Sequence, residues 1–423
     1  MSLENWCSPL VIQYDCLILD RRQRPVFYSS VFTHGDVGLR IAQVSPYDFA
    51  HSGGVQRHIA SLSHELKSRG HEVSILAPCT RNEPAVDIGD VDLRTFGRSV
   101  PIPSAGSIAR ISVSVWHEWR LKTMLDEEQF DIVHIHEPLM PMFALTASRF
   151  SPSPTVGTFH AYNEGRGKGY MFWKKVLNRG AIRLNGRIAV SEPAKHFANR
   201  YFKGDYRVIP NGLDVDKFSA PGPIPSVLKD DAMNLVFVGR VNEPRKGLRY
   251  ALGAYSLLKW EYPKLRLIVV GAGVPDRESY RIMGERSLDD VVFVGPVSEA
   301  ELPGYYQNAD IFLAPNTGKE SFGFIIIEAM SASTPIIASD IPGFASVMTH
   351  GREGLMVPPK DEAAIADAIK LLIEKPALRT QFGVDGRAAV ERYRWGRVAD
   401  EVLDFYEEVR EMQPVPPAQF KGW

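Results

Sequence analysis

The chain has 423 residues, 44% hydrophobic and 23% charged, an ordinary globular composition that excludes disorder as the main theme and leads one to expect two domains. A formal net charge of −1 removes any global reason to expect nucleic-acid binding, because counterion release needs a concentrated basic surface. Cys7, Cys16 and Cys79 lack metal-ligand spacing and are odd in number, which fits a reduced cytoplasmic compartment better than a disulfide framework, and no apolar run of about 18 residues is present to span a membrane.

Apolar runs of strand length alternate with helix-period segments, the pattern of a parallel sheet wound with helices. In chain order the spacing predicts a strand over 39–45, a helix over 54–68, a strand over 72–77 and a helical stretch over 107–125. A strand over 131–136, a helix over 138–149, strands over 155–159 and 187–190 and a helix over 192–201 complete the first series. Asn211-Gly212 and the proline- and glycine-rich residues 221–225 interrupt regular structure, so 210–225 reads as a linker. Beyond it come a strand over 234–239, a helix over 247–262, strands over 266–270, 291–294 and 311–314, a helix over 323–333, a strand over 336–338, and helices from 361 onward. The fold class is α/β, with two Rossmann-like, doubly wound parallel-sheet domains, residues 39–217 and 218–392, whose strand carboxyl ends face one cleft. Residues 1–38 fit neither series and form an appended segment; residues 413–423, with Pro414, Pro416 and Pro417, read as a disordered tail.

The first predicted strand runs through Pro46-Tyr47-Asp48-Phe49 into Ser52-Gly53-Gly54-Val55 and straight into a helix. Two glycines at such a turn let a phosphate approach the backbone and the free N–H groups of the helix start. A glycine turn without a ligand explains the same residues, and the spacing is no GxGxxG fingerprint. In the second half Gly239-Arg240 follows a strand and Arg245-Lys246-Gly247 opens a helix, placing cations at strand carboxyl ends where a diphosphate would need them. Glu320 stands at the mouth of a predicted helix, with the N–H groups of Ser321, Phe322 and Gly323 pointing outward. Glu328, eight residues on, is a carboxylate in an apolar helix that must find a partner if buried.

In combination, the glycine loop, Arg240 with Lys246, and the Glu320-to-Glu328 spacing resemble the GT-B, family-four retaining glycosyltransferases over about residues 39–409. Within that family the chain is most similar to the phosphatidylinositol mannosyltransferases. The likeness lies in Val44-Ser45-Pro46-Tyr47, Val100-Pro101-Ile102-Pro103, His134-Ile135-His136-Glu137-Pro138, Gly157-Thr158-Phe159-His160 and Asn242-Glu243-Pro244-Arg245-Lys246-Gly247. The resemblance implies an acceptor-side first domain, a nucleotide-sugar-binding second domain, and a C-terminal helix within 393–412 that crosses back onto the first, with a hinge near Tyr393. It implies that Gly53 and Gly54 pack against the donor diphosphate and that Arg240 and Lys246 neutralise it as it leaves. Glu320 would bond hydroxyls of the donor sugar, Ser321, Phe322 and Gly323 would line the donor site, and Glu328 would bind the ribose. His160 would sit beside the reacting carbon, with Tyr47 and Arg110 on the acceptor side; the other reading of His160 is a strand-end histidine satisfied by a backbone carbonyl. Catalysis then needs no cofactor beyond the nucleotide-sugar substrate, and Mg2+ is compatible without being implied. Asp90-Val91-Asp92 and Asp214-Val215-Asp216 spell DxD but sit in turn-like segments, where structural roles are expected. The chain departs from the family pattern at Ser333, where glycine is common, and on the acceptor side at Ser104-Ala105 and 161–169.

Between Gly165 and Arg187 there are seven basic residues and no acid, interleaved with Tyr170, Phe172 and Trp173. Such a segment suits an anionic membrane interface, with Lys168, Trp173, Lys174, Lys175 and Arg179 as the expected contacts and a solvated helix face as the alternative. The stretch over 107–125, carrying Arg110, Trp116, Trp119, Arg120 and Lys122, extends that surface. The expected partners are a nucleotide-sugar, a lipid acceptor and the anionic membrane surface, without nucleic acid and with the oligomeric state left open. The expected enzyme is cytoplasmic and peripheral at the inner face of the cell membrane, moving a hexose, mannose from GDP-mannose, to a lipid such as phosphatidylinositol. Transfer from UDP-glucose or another nucleotide-sugar to a different acceptor, and a catalytically silent nucleotide-binding protein, are the alternatives. A dehydrogenase is disfavoured by the lack of a GxGxxG turn followed by an acidic ribose ligand.

Overall fold

The computed structural model describes residues 38–412 except 82, 105–106, 113–114 and 164–182. Of the appended segment 1–38 only Gly38 is described; its other residues, the tail 413–423 and the expected membrane contacts Lys168, Trp173, Lys174, Lys175 and Arg179 lie outside the described residues. The described residues, from Gly38 onward, form one compact unit.

Its first half follows the order β1 (Arg40–Val44), α1 (Gly54–Ser68), β2 (Glu72–Ala77), β3 (Asp92–Thr95), β4 (Val100–Ser104), β5 (Ser107–Ile111), α2 (Val115–Glu128), β6 (Ile132–His136), α3 (Phe143–Phe150), β7 (Thr155–Phe159), β8 (Gly186–Ala189), α4 (Glu192–Tyr201), β9 (Arg207–Val208) and α5 (Val215–Ser219). Seven strands form a parallel sheet in the order β3-β2-β1-β6-β7-β8-β9. The central strands are near-continuous apolar runs because helices cover both faces.

The second half runs through β10 (Met233–Val238), α6 (Leu248–Leu258), β11 (Leu265–Val270), α7 (Arg277–Glu285), β12 (Val292–Gly295), α8 (Leu302–Gln307), β13 (Ile311–Ala314), α9 (Phe324–Ser331), β14 (Ile336–Ser339), α10 (Pro342–Ala345), β15 (Gly354–Val357), α11 (Glu362–Glu374) and α12 (Pro376–Ala389). Its six strands are parallel in the order β12-β11-β10-β13-β14-β15. In both sheets the order reverses beside the first strand of the half, β1 or β10, and an open α/β sheet binds ligands at such a switch point.

The last helix, α13 (Trp395–Glu411), returns to the first half. Its stripe of Val398, Ala399, Val402, Phe405, Tyr406 and Val409 is buried in the core under β1, β2 and α1, each large apolar side chain contributing roughly 2 kcal/mol. The contact is close: a Cβ at Gly186 of β8 would lie 2.6 Å from Val409 Cγ2 and 2.7 Å from Phe405 Cε1. The two chain crossings between halves run side by side. Leu213 N donates to Tyr393 O at 2.7 Å, and the Arg394 guanidinium takes both oxygens of Asp216 at 2.8 and 2.9 Å.

Three expected elements differ. The stretch over 107–125 is not one helix: Ser107–Ile111 pairs antiparallel with Val100–Ser104, and the helix begins only at Val115. Pro101 and Pro103 lack the N–H a central strand would need, but a two-stranded ribbon tolerates them. The helix expected from 138 starts at Phe143, because Pro141 would break its interior and Glu137 and Met142 hold positive φ of 50° and 67°. The helix expected to reach 262 stops at Leu258, ahead of Pro263, whose ring disfavours helical backbone before it.

Candidate functional site

Two helix starts meet across the cleft. Gly53 caps α1 with extended backbone, and α1 has no side-chain cap and no acid in its first turn. Gly323, at φ 102°, caps α9 under the same conditions. A Cβ on Gly54 would find only the ring of Phe324, at 3.9 Å, so uncapped N–H groups from both halves border an open space. Each helix start carries about half a positive charge, which suits an anion.

The loop after β10 adds cations. Gly247 takes a left-handed φ of 78°, and a Cβ there would stand 1.9 Å from Pro315 O, so only glycine lets this loop lie against 315–320. Thr317 N donates to Arg245 O at 2.8 Å, which locks the two loops together. The result is a cage on one oxygen of Glu320: Lys246 Nζ at 3.0 Å, Asn316 Nδ2 at 3.0 Å and Arg245 Nη1 at 3.3 Å all reach Oε2. Burial raises the Glu320 carboxyl, but the charges of Lys246 and Arg245 outweigh it and hold the group below its ordinary value. Arg240 stands apart from this cage; it is half-exposed and ion-paired with Glu243, which also pairs with Arg245.

Glu328 lies inside α9 and accepts from Tyr306 OH at 2.7 Å, the partner its burial requires. Burial keeps its carboxyl raised despite the Tyr306 bond and the charge of Arg57. Arg57 belongs to α1 of the other half and pairs with Glu299 at 3.7 Å. Glu320 precedes α9, so the two carboxylates are set by a loop and a helix rather than by two turns of one helix. Ser321 accepts a hydrogen bond from Ser191 of the first half at its carbonyl; Phe322 is buried, and Gly323 has no room for a side chain against Phe344.

On the first half's side, His160 follows β7 and is buried with four other polar residues on one sheet face. The register sets Gln43 opposite His134 and His136 opposite Thr158. His136 Nδ1 is 3.0 Å from His160 Nε2, and His136 Nε2 is 2.8 Å from Gln43 Oε1. The His160 ring is thus satisfied by another histidine, not by the backbone carbonyl of the simpler reading. Burial holds His58 and His134 down to about 3, and His136 and His160 well below the ordinary range, so all four are neutral at physiological pH. Glu137, at the end of β6, accepts His160 N at 2.6 Å, and burial pushes its carboxyl up to about 7. His58, His136 and His160 each offer a ring nitrogen within 4.8 Å of the others, although His136 and His160 are already bonded to each other.

Tyr47 and Arg110 are brought together. Tyr47 bridges to Ile111, and Asp48 N donates to Arg110 O at 3.0 Å. The DxD spellings are taken up structurally: Asp90 pairs with Lys67 at 2.9 Å, Asp92 with Arg94, Asp214 caps α5, and Asp216 pairs with Arg394. A cavity of about 550 Å³ also opens between the halves, lined by Ser191, Glu192, Phe322, Pro342, Arg392 and Tyr393; it does not include Glu320, Glu328 or His160. Sequence reasoning missed Arg245, Asn316 and Tyr306 as partners of the two glutamates, and Gln43, His58 and Tyr406 around His160. For Gln43, His134 and His136 the signal was present, since alternate residues of a strand share a face.

Two family models match the halves separately: Glycosyltransferase Family 4 over residues 52–217 and Glycosyl transferases group 1 over residues 232–375. The phosphatidyl-myo-inositol mannosyltransferase of Mycobacterium leprae is 34% identical over 371 residues, 88% of this chain and 97% of that one. Its counterpart in Mycobacterium tuberculosis H37Rv is 35% identical over 375 residues, with 88% and 97% covered. Among solved structures, Anabaena HepE in complex with UDP superposes with a TM-score of 0.70 at 17% identity, covering 88% of this chain and 100% of that one, a likeness of fold.

Proposed function

Since the chain belongs to the family-four, group 1 glycosyltransferases, we propose that it transfers mannose from GDP-mannose to phosphatidylinositol at a membrane surface, with retention of the anomeric configuration. The observation that carries this reading is the caged Glu320 beside two uncapped helix starts, set in a chain whose relatives named above are phosphatidyl-myo-inositol mannosyltransferases.

In this mechanism the acceptor hydroxyl attacks the anomeric carbon from the face the diphosphate leaves. The bond from that carbon to the phosphate oxygen breaks, the new glycosidic bond forms, and the departing phosphate oxygen takes the hydroxyl proton. Lys246, Arg240 and the N–H groups at Gly53–Gly54 and Gly323 meet the growing charge of the diphosphate, donors already in place before the reaction. Glu320 offers Oε1 to hydroxyls of the mannose, while Lys246, Arg245 and Asn316 hold Oε2. Glu328, steadied by Tyr306, accepts from the ribose. Tyr47, Arg110 and the His160 ring border the acceptor, and closure of the halves about the paired crossings at Leu213 and Tyr393 excludes water. Mg2+ is not needed for any of these steps.

Access to a lipid headgroup is supported by Trp119, 64% exposed on α2, and by the basic, aromatic sequence of 165–187. No helix among the described residues is long and apolar enough to cross a membrane; the position proposed is peripheral, at the inner face.

The test is transfer of label from GDP-mannose, UDP-glucose and ADP-glucose into vesicles with and without phosphatidylinositol, with the anomeric configuration of the product read by NMR. Label from GDP-mannose entering only vesicles that hold phosphatidylinositol, as the α-anomer, is expected. Transfer from another donor, or an inverted product, would sink the reading.

A further inference from the structure

An unbroken chain of hydrogen bonds runs from the C-terminal helix to His160. Tyr406, on α13, accepts from Gln43 Nε2 at 3.2 Å. Gln43 Oε1 lies 2.8 Å from His136 Nε2, and His136 Nδ1 lies 3.0 Å from His160 Nε2. A branch anchors the far end: Tyr406 OH is 2.6 Å from His134 Nδ1, and His134 Nε2 is 2.6 Å from Thr158 Oγ1. Every member is buried, Gln43, His136 and Tyr406 completely, so no water competes for these positions.

We propose that Tyr406 and Gln43 are positioning residues that hold His160 in a single neutral tautomer, Nε2–H, so that its Nδ1 is an acceptor. The inference deepens the reading of His160 given above and rests on it.

The direction follows from valence. An amide nitrogen only donates and an amide oxygen only accepts. With Gln43 Nε2 turned to the Tyr406 hydroxyl, Gln43 Oε1 faces His136 and requires His136 Nε2 to carry its proton. A neutral imidazole holds one proton, so His136 Nδ1 is a bare acceptor, and the nitrogen facing it, His160 Nε2, must donate. His160 Nδ1 is then unprotonated, an acceptor open to a hydroxyl or to the Asn211 side chain, which also reaches the ring. Burial keeps both rings from taking a second proton, which would break the alternation. The Tyr406 hydroxyl in turn donates to His134 Nδ1, and His134 Nε2–H donates to Thr158, so each link has one donor and one acceptor.

The chemical consequence is that His160 meets its hydroxyl as an acceptor, able to orient an acceptor or sugar O–H without itself being a cation beside the developing oxocarbenium charge. The structural consequence is that a helix reaching the first half only after the chain has crossed the second half fixes the polarity of a side chain at the cleft. An undocked α13 would leave the Gln43 amide free to turn and would scramble the His160 tautomer.

The test uses full-length protein with 15N-labelled histidine, the His160 signals being assigned by loss in a His160→Gln variant. Long-range 1H–15N spectra at pH 7.5 report which ring nitrogen bears hydrogen. In the wild type His160 should show protonated Nε2 and bare Nδ1. Tyr406→Phe keeps the ring and the packing but removes the acceptor for Gln43; it should give mixed tautomers and lower kcat about tenfold, the loss of one directed hydrogen bond at the reacting group, with KM for GDP-mannose held within about twofold. Gln43→Leu, which removes both links of the amide, should behave like Tyr406→Phe. A wild-type spectrum with Nδ1 protonated, or a Tyr406→Phe spectrum unchanged from wild type whether or not kcat falls, overturns the proposal. The spectra decide it even if no donor is turned over, an outcome that would count against the mannosyltransferase reading alone.

Discussion

Lys246→Ala separates two roles that one position combines. Lys246 Nζ lies 3.0 Å from Glu320 Oε2 with both side chains largely buried, so the lysine is either a counter-ion that keeps the carboxylate in place or a cation aimed at the leaving diphosphate. Breaking a buried pair outright costs about 3–5 kcal/mol. Here Arg245 and Asn316 still reach the same oxygen, so the expected loss is about 1–2 kcal/mol, a fall in melting temperature of roughly 2–8 °C for a unit the size of the second half. Removing one preorganised donor from developing phosphate charge costs about 3–4 kcal/mol of transition-state stabilisation, about 10²–10³ in kcat. The assay is a double-mutant cycle with Glu320→Gln, reading initial transfer rates and melting temperatures of the four proteins. The stability losses should couple, because the neutral amide introduced by Glu320→Gln needs no counter-ion, while the rate losses should multiply. If Lys246→Ala has no further effect on rate in the Glu320→Gln background, Lys246 serves Glu320 only and the diphosphate role is wrong.

Three further outcomes are expected. Gly186→Val sets side-chain atoms where Val409 and Phe405 stand; it should destabilise by about 1–3 kcal/mol and release α13 to limited proteolysis, and wild-type protease resistance would contradict the tight docking. Glu137, raised in the fold to about 7 from 4.5, contributes stability that is full below 4.5 and is lost as pH rises through about 7. Glu137→Gln should therefore be more stable than wild type at pH 8, by at most about 3 kcal/mol at 1.4 kcal/mol per tenfold change in proton affinity, and the gap in urea midpoint should shrink as pH falls through about 7 and close below 4.5; a gap independent of pH would show that the carboxyl titrates normally. Glu328→Ala should weaken GDP binding in calorimetry about tenfold, the loss of a charged hydrogen bond to ribose, and unchanged affinity would remove Glu328 from the nucleotide site.

The parallel architecture was legible because both halves write buried strands as short apolar runs between helices. The helix over 192–201 was readable to the residue, since Ser191 supplies an N-cap bonded to Ala194 N and proline follows at the start. What escaped was short. The edge strand β3, Asp92–Thr95, has no buried residue, so it shows no apolar run, and its edge position favours charged side chains. β15, four residues opening on Gly354, is recognisable only from its pairing with β14. Ser333, where the family resemblance leads one to expect glycine, sits at φ 58°, a left-handed backbone that glycine adopts at no steric cost and a strain the serine bears.

The site divides along the same line between local and distant partners. Lys246 and Glu320 were legible because each lies in a glycine-marked loop at a strand end, and Gly247 and Gly323 both take positive φ to bring those loops to the cleft. The histidine face was half-legible: the alternation of His134 and His136 states that they share a face, but not which strand lies beside them. Tyr406 was not legible at all. Its helical spacing with Val402 and Val409 says only that it is buried, and an apolar stripe would bury equally well on either half. Close contacts such as that of Gly186 with Phe405 and Val409 select the first half as its partner, and this selection carries the Tyr406 hydroxyl to within 2.6 Å of His134. A residue's chemistry here follows from long-range docking, so a helix that reads as plain packing in the sequence becomes the anchor of a polar chain ending at the cleft.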